Sequence, residues 1–107
     1  MKQKTILLVD DEHDLCDILL YNLRTSGFAA EVAYDGEEAL KLIRERALQN
    51  KSFDLLLLDI MMPGMSGFDV ARQLKGDGST ANLPIIFLTA KDTEGDKLQG
   101  FELGADD

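Results

Sequence analysis

Residues whose side chains can handle a metal ion or a phosphoryl group stand at the ends of three short apolar runs. Asp10-Asp11 follow Thr5–Val9 (T-I-L-L-V), Asp59 follows Phe53–Leu58 (F-D-L-L-L-L), and Thr89 closes Leu83–Thr89 (L-P-I-I-F-L-T). Singly, each is ordinary: an Asp pair behind a strand is usually a helix N-cap with a solvated neighbour. The combination is different. If the first and third runs are neighbouring strands, three carboxylates converge at one mouth, and like charges that close cannot all ionise cheaply without a cation. Mg²⁺ prefers oxygen donors and usually takes one or two carboxylates together with phosphate oxygens and waters. A carboxylate held by such an ion can also attack phosphorus and become an aspartyl phosphate. Thr89 could then donate its hydroxyl to a phosphoryl oxygen.

Elements that would position these groups alternate along the chain. Thr5–Val9 is β-prone and continuously apolar, as suits a strand buried on both faces. Asp14–Thr25 reads as a helix with Leu15, Ile18, Leu19 and Leu23 at steps of three and four, and Gly27 stands where a C-terminal cap belongs. Phe28–Tyr34 reads as a less buried strand with Glu31 on its polar side. Asp35 opens a second helix, and its spacing to Glu38 is that of a capping box. Ala39, Leu40, Leu42, Ile43 and Ala47 form its apolar face, opposite Lys41, Arg44, Glu45 and Arg46. Phe53–Leu58 is too short for a helix and has Pro63-Gly64 behind it, which favours a strand. Ser66–Lys75 reads as a third helix with Phe68, Ala71 and Leu74 inward, and Gly76–Asn82 as a polar loop. Leu83–Thr89 is the fourth strand, and Thr93–Leu103 the fourth helix, closed by Gly104. This order predicts an α/β fold, a parallel sheet with helices on both faces. Ligands of such sheets bind at the carboxyl ends of the strands, near the point where strand order reverses.

Composition narrows the class of function. The 107 residues allow one domain, and 45% hydrophobic content is that of an ordinary globular protein. Twenty Asp and Glu against eleven Lys and Arg leave a net charge of −9, which disfavours a nucleic-acid surface and docking on anionic lipid. A single Cys rules out an internal disulfide. The longest uncharged stretch, Gly78–Ala90, is too short to span a membrane and contains Pro84. The apolar run behind the basic N-terminus, Ile6–Val9, is too short for a signal peptide, so the expected location is cytoplasmic.

Four segments together carry a resemblance to a known family. L-L-V-D-D-E (Leu7–Glu12), L-L-L-L-D-I-M-M-P-G-M-S-G (Leu55–Gly67), P-I-I-F-L-T-A-K (Pro84–Lys91) and G-A-D-D (Gly104–Asp107) are similar, in order and at family spacing, to the receiver domain of bacterial two-component response regulators. The stretch from Pro84 resembles most the subfamily whose receiver precedes a winged-helix DNA-binding domain. The resemblance implies a doubly wound, flavodoxin-like sheet with strand order 2-1-3-4 and one receiver domain over residues 1–107. It implies that Asp59 is the phosphoacceptor, that Asp11 and Asp59 bind Mg²⁺, and that Asp10 binds it directly or through water. The Met61 backbone carbonyl would be a further ligand and Thr89 the switch hydroxyl. Pro63 and Gly67 would shape the loop after Asp59, while Met61 and Lys91 occupy positions that tune hydrolysis. The expected partner is a sensor histidine kinase, and the expected role is a switch that accepts a phosphoryl group rather than a turnover enzyme.

The chain departs from the family pattern in ending at Asp107, before a fifth strand, its phosphate-pairing Lys and a fifth helix. Lys91, in the loop after the fourth strand, does not replace that Lys. These points predict a fragment of a longer protein, an unpaired edge on the fourth strand and exposed apolar surface beside the first helix, with self-association or strand swapping as one remedy. Two rivals remain open. A pseudo-receiver would bind partners without being phosphorylated. A Mg²⁺-dependent phosphohydrolase would carry D-x-D behind its first strand, where this chain has D-D-E.

Neighbouring residues have plainer readings. His13 reads as a solvated residue of the first helical turn, and Cys16 as a small residue wholly or partly buried. Met61, Met62 and Met65 read as packing residues. Asp92–Asp96 lacks calcium-loop spacing and reads as a helix cap, and Gly76-Asp77-Gly78 reads as a flexible turn.

Overall fold

The computed structural model describes residues 3–88. Thr89, Lys91, Asp92–Asp96 and the fourth helix expected over Thr93–Leu103 lie outside the described residues. The described elements are β1 (Thr5–Val9), α1 (His13–Thr25), β2 (Ala29–Ala33), α2 (Gly36–Leu48), β3 (Leu55–Asp59), α3 (Gly67–Lys75) and β4 (Ile85–Leu88). All strand pairs are parallel, in the order β2-β1-β3-β4. The doubly wound order expected from the resemblance is the one observed. Among the described residues, no helix is long and apolar enough to cross a membrane.

Strand alternation divides the core between the two faces of the sheet. Leu7, Val9, Leu56, Leu58, Ile85 and Phe87 turn one way, onto Ala39, Leu40 and Ile43 of α2 and Val70, Ala71 and Leu74 of α3. Leu8 and Ala30 turn the other way, onto Cys16 and Leu20 of α1. Among the described residues this second side is the thinner one. Leu57 and Leu88 are only partly buried there, and Ile86 is 37% exposed.

Several inward and outward assignments change in the structure. Ile18, expected on the buried stripe of α1, is 59% exposed. The stripe is centred on Cys16 and Leu20, and Ile18 lies about 200° round the helix from Cys16 at 100° per residue. Phe68 lies on the flank of α3, tilted against Phe87 at 5.1 Å, while Val70 takes the inward position. Arg46 is not simply solvated. Its guanidinium lies 4.5 Å over the Phe53 ring and pairs with Glu31 at 2.6 Å. Strand ends also shift: Phe28 and Tyr34 flank β2, Phe53 precedes β3, and Asp59 belongs to β3 itself.

The helix termini are built largely as their residue types suggest. Gly27 takes φ +100° past α1, the left-handed conformation open to glycine, and the Phe28 N–H reaches back to the Leu23 carbonyl at 3.1 Å. Asp35 caps α2 by accepting the Glu38 N–H at 2.8 Å. Glu38 reaches back in turn, but to the Tyr34 N–H at 2.9 Å, one residue earlier than in a capping box. On α3 the box is complete: Ser66 Oγ accepts the Asp69 N–H at 3.2 Å and Asp69 accepts the Ser66 N–H at 3.2 Å. The Arg72 guanidinium, with Ser66, holds the Asp69 carboxyl below its usual range. Ser66→Ala should therefore cost about 1 kcal/mol of stability. The expected readout is a lower urea midpoint with an unchanged denaturant slope.

Candidate functional site

Register brings the acidic residues together. Val9 pairs with Leu58 across β1 and β3, so the next residues, Asp10 and Asp59, leave the sheet side by side at its carboxyl end. The Asp10 N–H is held by the Ala33 carbonyl of β2 at 3.2 Å, which extends the pairing one residue past β1. Both side chains are buried, with Asp10 2% and Asp59 1% exposed. Asp11 is the more open of the three, and carboxylate oxygens of Asp10, Asp11 and Asp59 lie within 4.8 Å of one another. The three carboxylates singled out in the sequence thus form one cluster, at the end of the sheet where ligands of this architecture bind.

The electrostatics of the cluster are unbalanced. Asp10 Oδ1 accepts the Glu12 N–H at 2.9 Å, and Asp59 Oδ1 accepts the Met61 N–H at 3.3 Å. Asp59 Oδ2 is buried with no hydrogen-bond partner among the described residues. Among the described residues, none of the three carboxylates has an ion pair. Burial, reinforced by the neighbouring Asp10 charge, pushes the Asp59 carboxyl up to about 6, and burial likewise raises Asp10. A buried orphan oxygen beside two further carboxylates is the environment that a hard divalent cation relieves. The donor set, all oxygen, fits Mg²⁺.

Surrounding residues hold this geometry. The chain leaves β3, passes Pro63 and returns so closely that Gly67 lies against the strand end. A Cβ at Gly67 would stand 2.2 Å from the Asp59 carbonyl oxygen and 2.9 Å from Ile60 Cα. The Gly67 N–H also donates to the Ile60 carbonyl at 2.9 Å. Cys16 is fully buried, and its thiol reaches the Asp10 carbonyl at 3.4 Å. Burial, then the nearby Asp10 charge, raises that thiol to about 11, away from nucleophilic chemistry. Met62 and Met65 pack against the core as expected, but Met61 is 57% exposed. Met61 meets the site through its backbone N–H, because it follows the strand end where the loop turns outward.

Sequence reasoning missed one contact beside the cluster. His13, read as solvated, stacks on Tyr34 with ring centroids 3.8 Å apart and planes 12° from parallel. His13 opens α1 and Tyr34 follows β2, so no local spacing signals the pair. A cavity of about 260 Å³ at the opposite end of the sheet, lined in part by Phe53, Asp54, Thr80 and Pro84, gathers no comparable cluster.

Residues 6–107 match the family described as the response regulator receiver domain. Solved structures agree. The chain is similar to a putative response regulator from Chloroflexus aurantiacus, with 35% identity and a TM-score of 0.81 over 99% of this chain and 83% of that one. It is similar to the non-phosphorylated HemR receiver domain from Leptospira biflexa, with 36% identity and a TM-score of 0.72 over 95% and 77% of the two chains. A third structure is response regulator TrrA from Thermotoga maritima in complex with Mg²⁺–BeF, with 38% identity and a TM-score of 0.70 over 84% and 72%. With this fold, this acidic cluster and these relatives, the chain belongs to the response regulator receiver domain family and is a regulatory switch module rather than a turnover enzyme.

Proposed function

We propose that Asp59 is the phosphoacceptor of a phosphorelay and that a histidine kinase supplies the phosphoryl group. The observation that carries this reading is Asp59 Oδ2, a buried oxygen beside Asp10 and Asp11 that has no hydrogen-bond partner among the described residues. Its lone pair is free to attack phosphorus, while Oδ1 is occupied by the Met61 N–H. As the Oδ2–P bond forms, the P–N bond to the donor imidazole breaks, and its electron pair stays on the imidazole nitrogen. Asp10, Asp11 and Asp59, with the Met61 carbonyl, would hold Mg²⁺, which supplies neutralisation of charge on the phosphoryl oxygens when bound. The relative solved with Mg²⁺–BeF supports that assignment.

Thr89, directly after β4, is proposed as the hydroxyl that turns towards the new phosphoryl group. Phosphorylation turns a side chain of charge −1 into one of about −2, enough to bias a surface between two arrangements. That surface would then govern dimerisation or an output domain that regulates transcription. The proposed location is the cytoplasm, where the kinase domain would meet it.

Intact mass after incubation with Mg²⁺ and acetyl phosphate tests the reading. The wild-type chain should gain roughly 80 Da, one phosphoryl group on one acceptor, and Asp59→Asn should gain nothing. A gain that persists in Asp59→Asn would overturn the assignment. No gain in wild type would favour a pseudo-receiver that binds partners without being phosphorylated.

A further inference from the structure

We infer that the His13–Tyr34 ring stack is a positioning latch that sets the place of Asp11 and so the affinity of the acidic cluster for Mg²⁺. The inference rests on the metal-binding reading above.

Asp11 sits in the three-residue connection between β1 and α1, and its two flanks are held differently. Asp10, on the near side, is fixed at three points. Its N–H is on the Ala33 carbonyl, its Oδ1 accepts the Glu12 N–H, and its carbonyl accepts the Cys16 thiol. The Asp11 side chain itself has no hydrogen bond or ion pair among the described residues. The Glu12 N–H and the Cys16 thiol already tie the α1 side to Asp10, so what further sets the Asp11 side chain is how the first turn of α1 is held against its surroundings.

That turn has no side-chain cap of its own. Glu12 is the N-cap residue and makes no side-chain capping bond, unlike Asp35 on α2 and Ser66 on α3. The first residue of the helix, His13, is instead laid flat on Tyr34. Tyr34 is a firm support. Its ring packs against the cluster of Leu8, Cys16, Leu20 and Ala30, and its N–H is held by Glu38 at 2.9 Å. The stack thus ties the uncapped start of α1 to the β2–α2 junction, and Asp11 hangs between this tie and the fixed Asp10. Removing the tie leaves all three carboxylates in the chain but lets one of them wander, so metal binding must then bear the cost of ordering it.

Mg²⁺ titrations of the whole chain, followed by amide chemical shifts, test this. Tyr34→Phe keeps the stack and should bind within about twofold of wild type. Tyr34→Leu keeps apolar packing without a ring face and should bind about three- to tenfold more weakly, as should His13→Ala. The double variant His13→Ala/Tyr34→Leu should bind no more weakly than the poorer single variant, because both remove one interaction. Amide signals of β3 and α3 report whether each variant keeps its fold. Equal affinity in all variants, or losses that multiply in the double variant, would overturn the latch while leaving the metal site intact. Wild-type protein that binds no Mg²⁺ would overturn the metal-binding reading, and the latch with it.

Discussion

In metal-free buffer, Asp59→Asn is expected to stabilise the protein at pH 8 and to have almost no effect at pH 4. The sign follows from the direction of the shift. Burial and the Asp10 charge raise the folded-state carboxyl from its ordinary 3.8 to about 6. The folded chain therefore holds this proton more tightly than the unfolded chain does. That contribution to stability is fully present below pH 3.8 and is lost as the pH rises through about 6. Over that span the loss is on the order of 3 kcal/mol. An Asn of nearly the same shape carries no charge to bury, and its amide can donate to the neighbouring Asp10 carboxylate. Urea unfolding of both proteins in chelator at several pH values checks this, with the gap closing towards acid. Saturating Mg²⁺ should stabilise wild type more than Asp59→Asn and shrink the gap at pH 8. A variant less stable than wild type at pH 8 in chelator would contradict the argument from burial.

The second large effect is expected from one added methyl group. In Gly67→Ala the new Cβ would lie 2.2 Å from the Asp59 carbonyl oxygen, and the obstructing atoms are backbone rather than a flexible side chain. Either the loop after β3 or the end of β3 must move. The expected cost is about 3 kcal/mol, the upper end of ordinary overpacking. Because the displaced backbone carries the proposed phosphoacceptor, phosphorylation by acetyl phosphate should fall further than stability alone explains. Gly78→Ala is the control: a Cβ there meets nothing within 4 Å and should change stability by less than about 0.5 kcal/mol. Urea midpoints and phosphorylated fractions of the two variants check the contrast.

What could be read from the sequence follows what is local. Asp10, Asp11 and Asp59 were visible because each ends an apolar run, and a strand end fixes where such a side chain emerges. Their convergence was conditional on β1 and β3 being neighbours, and only the register of Val9 with Leu58 meets that condition. Helix faces were harder. Steps of three and four place Ile18 with Leu15 as readily as they place Leu20 with Cys16, and a small buried Cys does not advertise itself as the centre of a stripe. Thr80 shows the same limit in a loop that reads as polar. It is buried there, donating its hydroxyl to the Leu74 carbonyl at 2.8 Å to close the end of α3. The His13–Tyr34 stack joins segments distant in sequence, and no periodicity carries such information. Gly67 was expected to shape the loop after Asp59 from the resemblance alone, and how closely it approaches the strand end depends on the path of that loop.

The pairing of β1 with β3 has a further consequence for how the site comes into being. Asp10 and Asp11 are made early in synthesis, and Asp59 arrives only after β2, α2 and the start of β3 have been added. Until then the first two are ordinary solvated carboxylates with no third partner. The cluster appears in the one step that closes the long loop between β1 and β3, and that step also brings like charges together. Closure is therefore opposed by chain entropy and by charge at once. A cation able to bind the finished cluster would act on the folded side of that barrier, drawing the equilibrium forward without hastening the search.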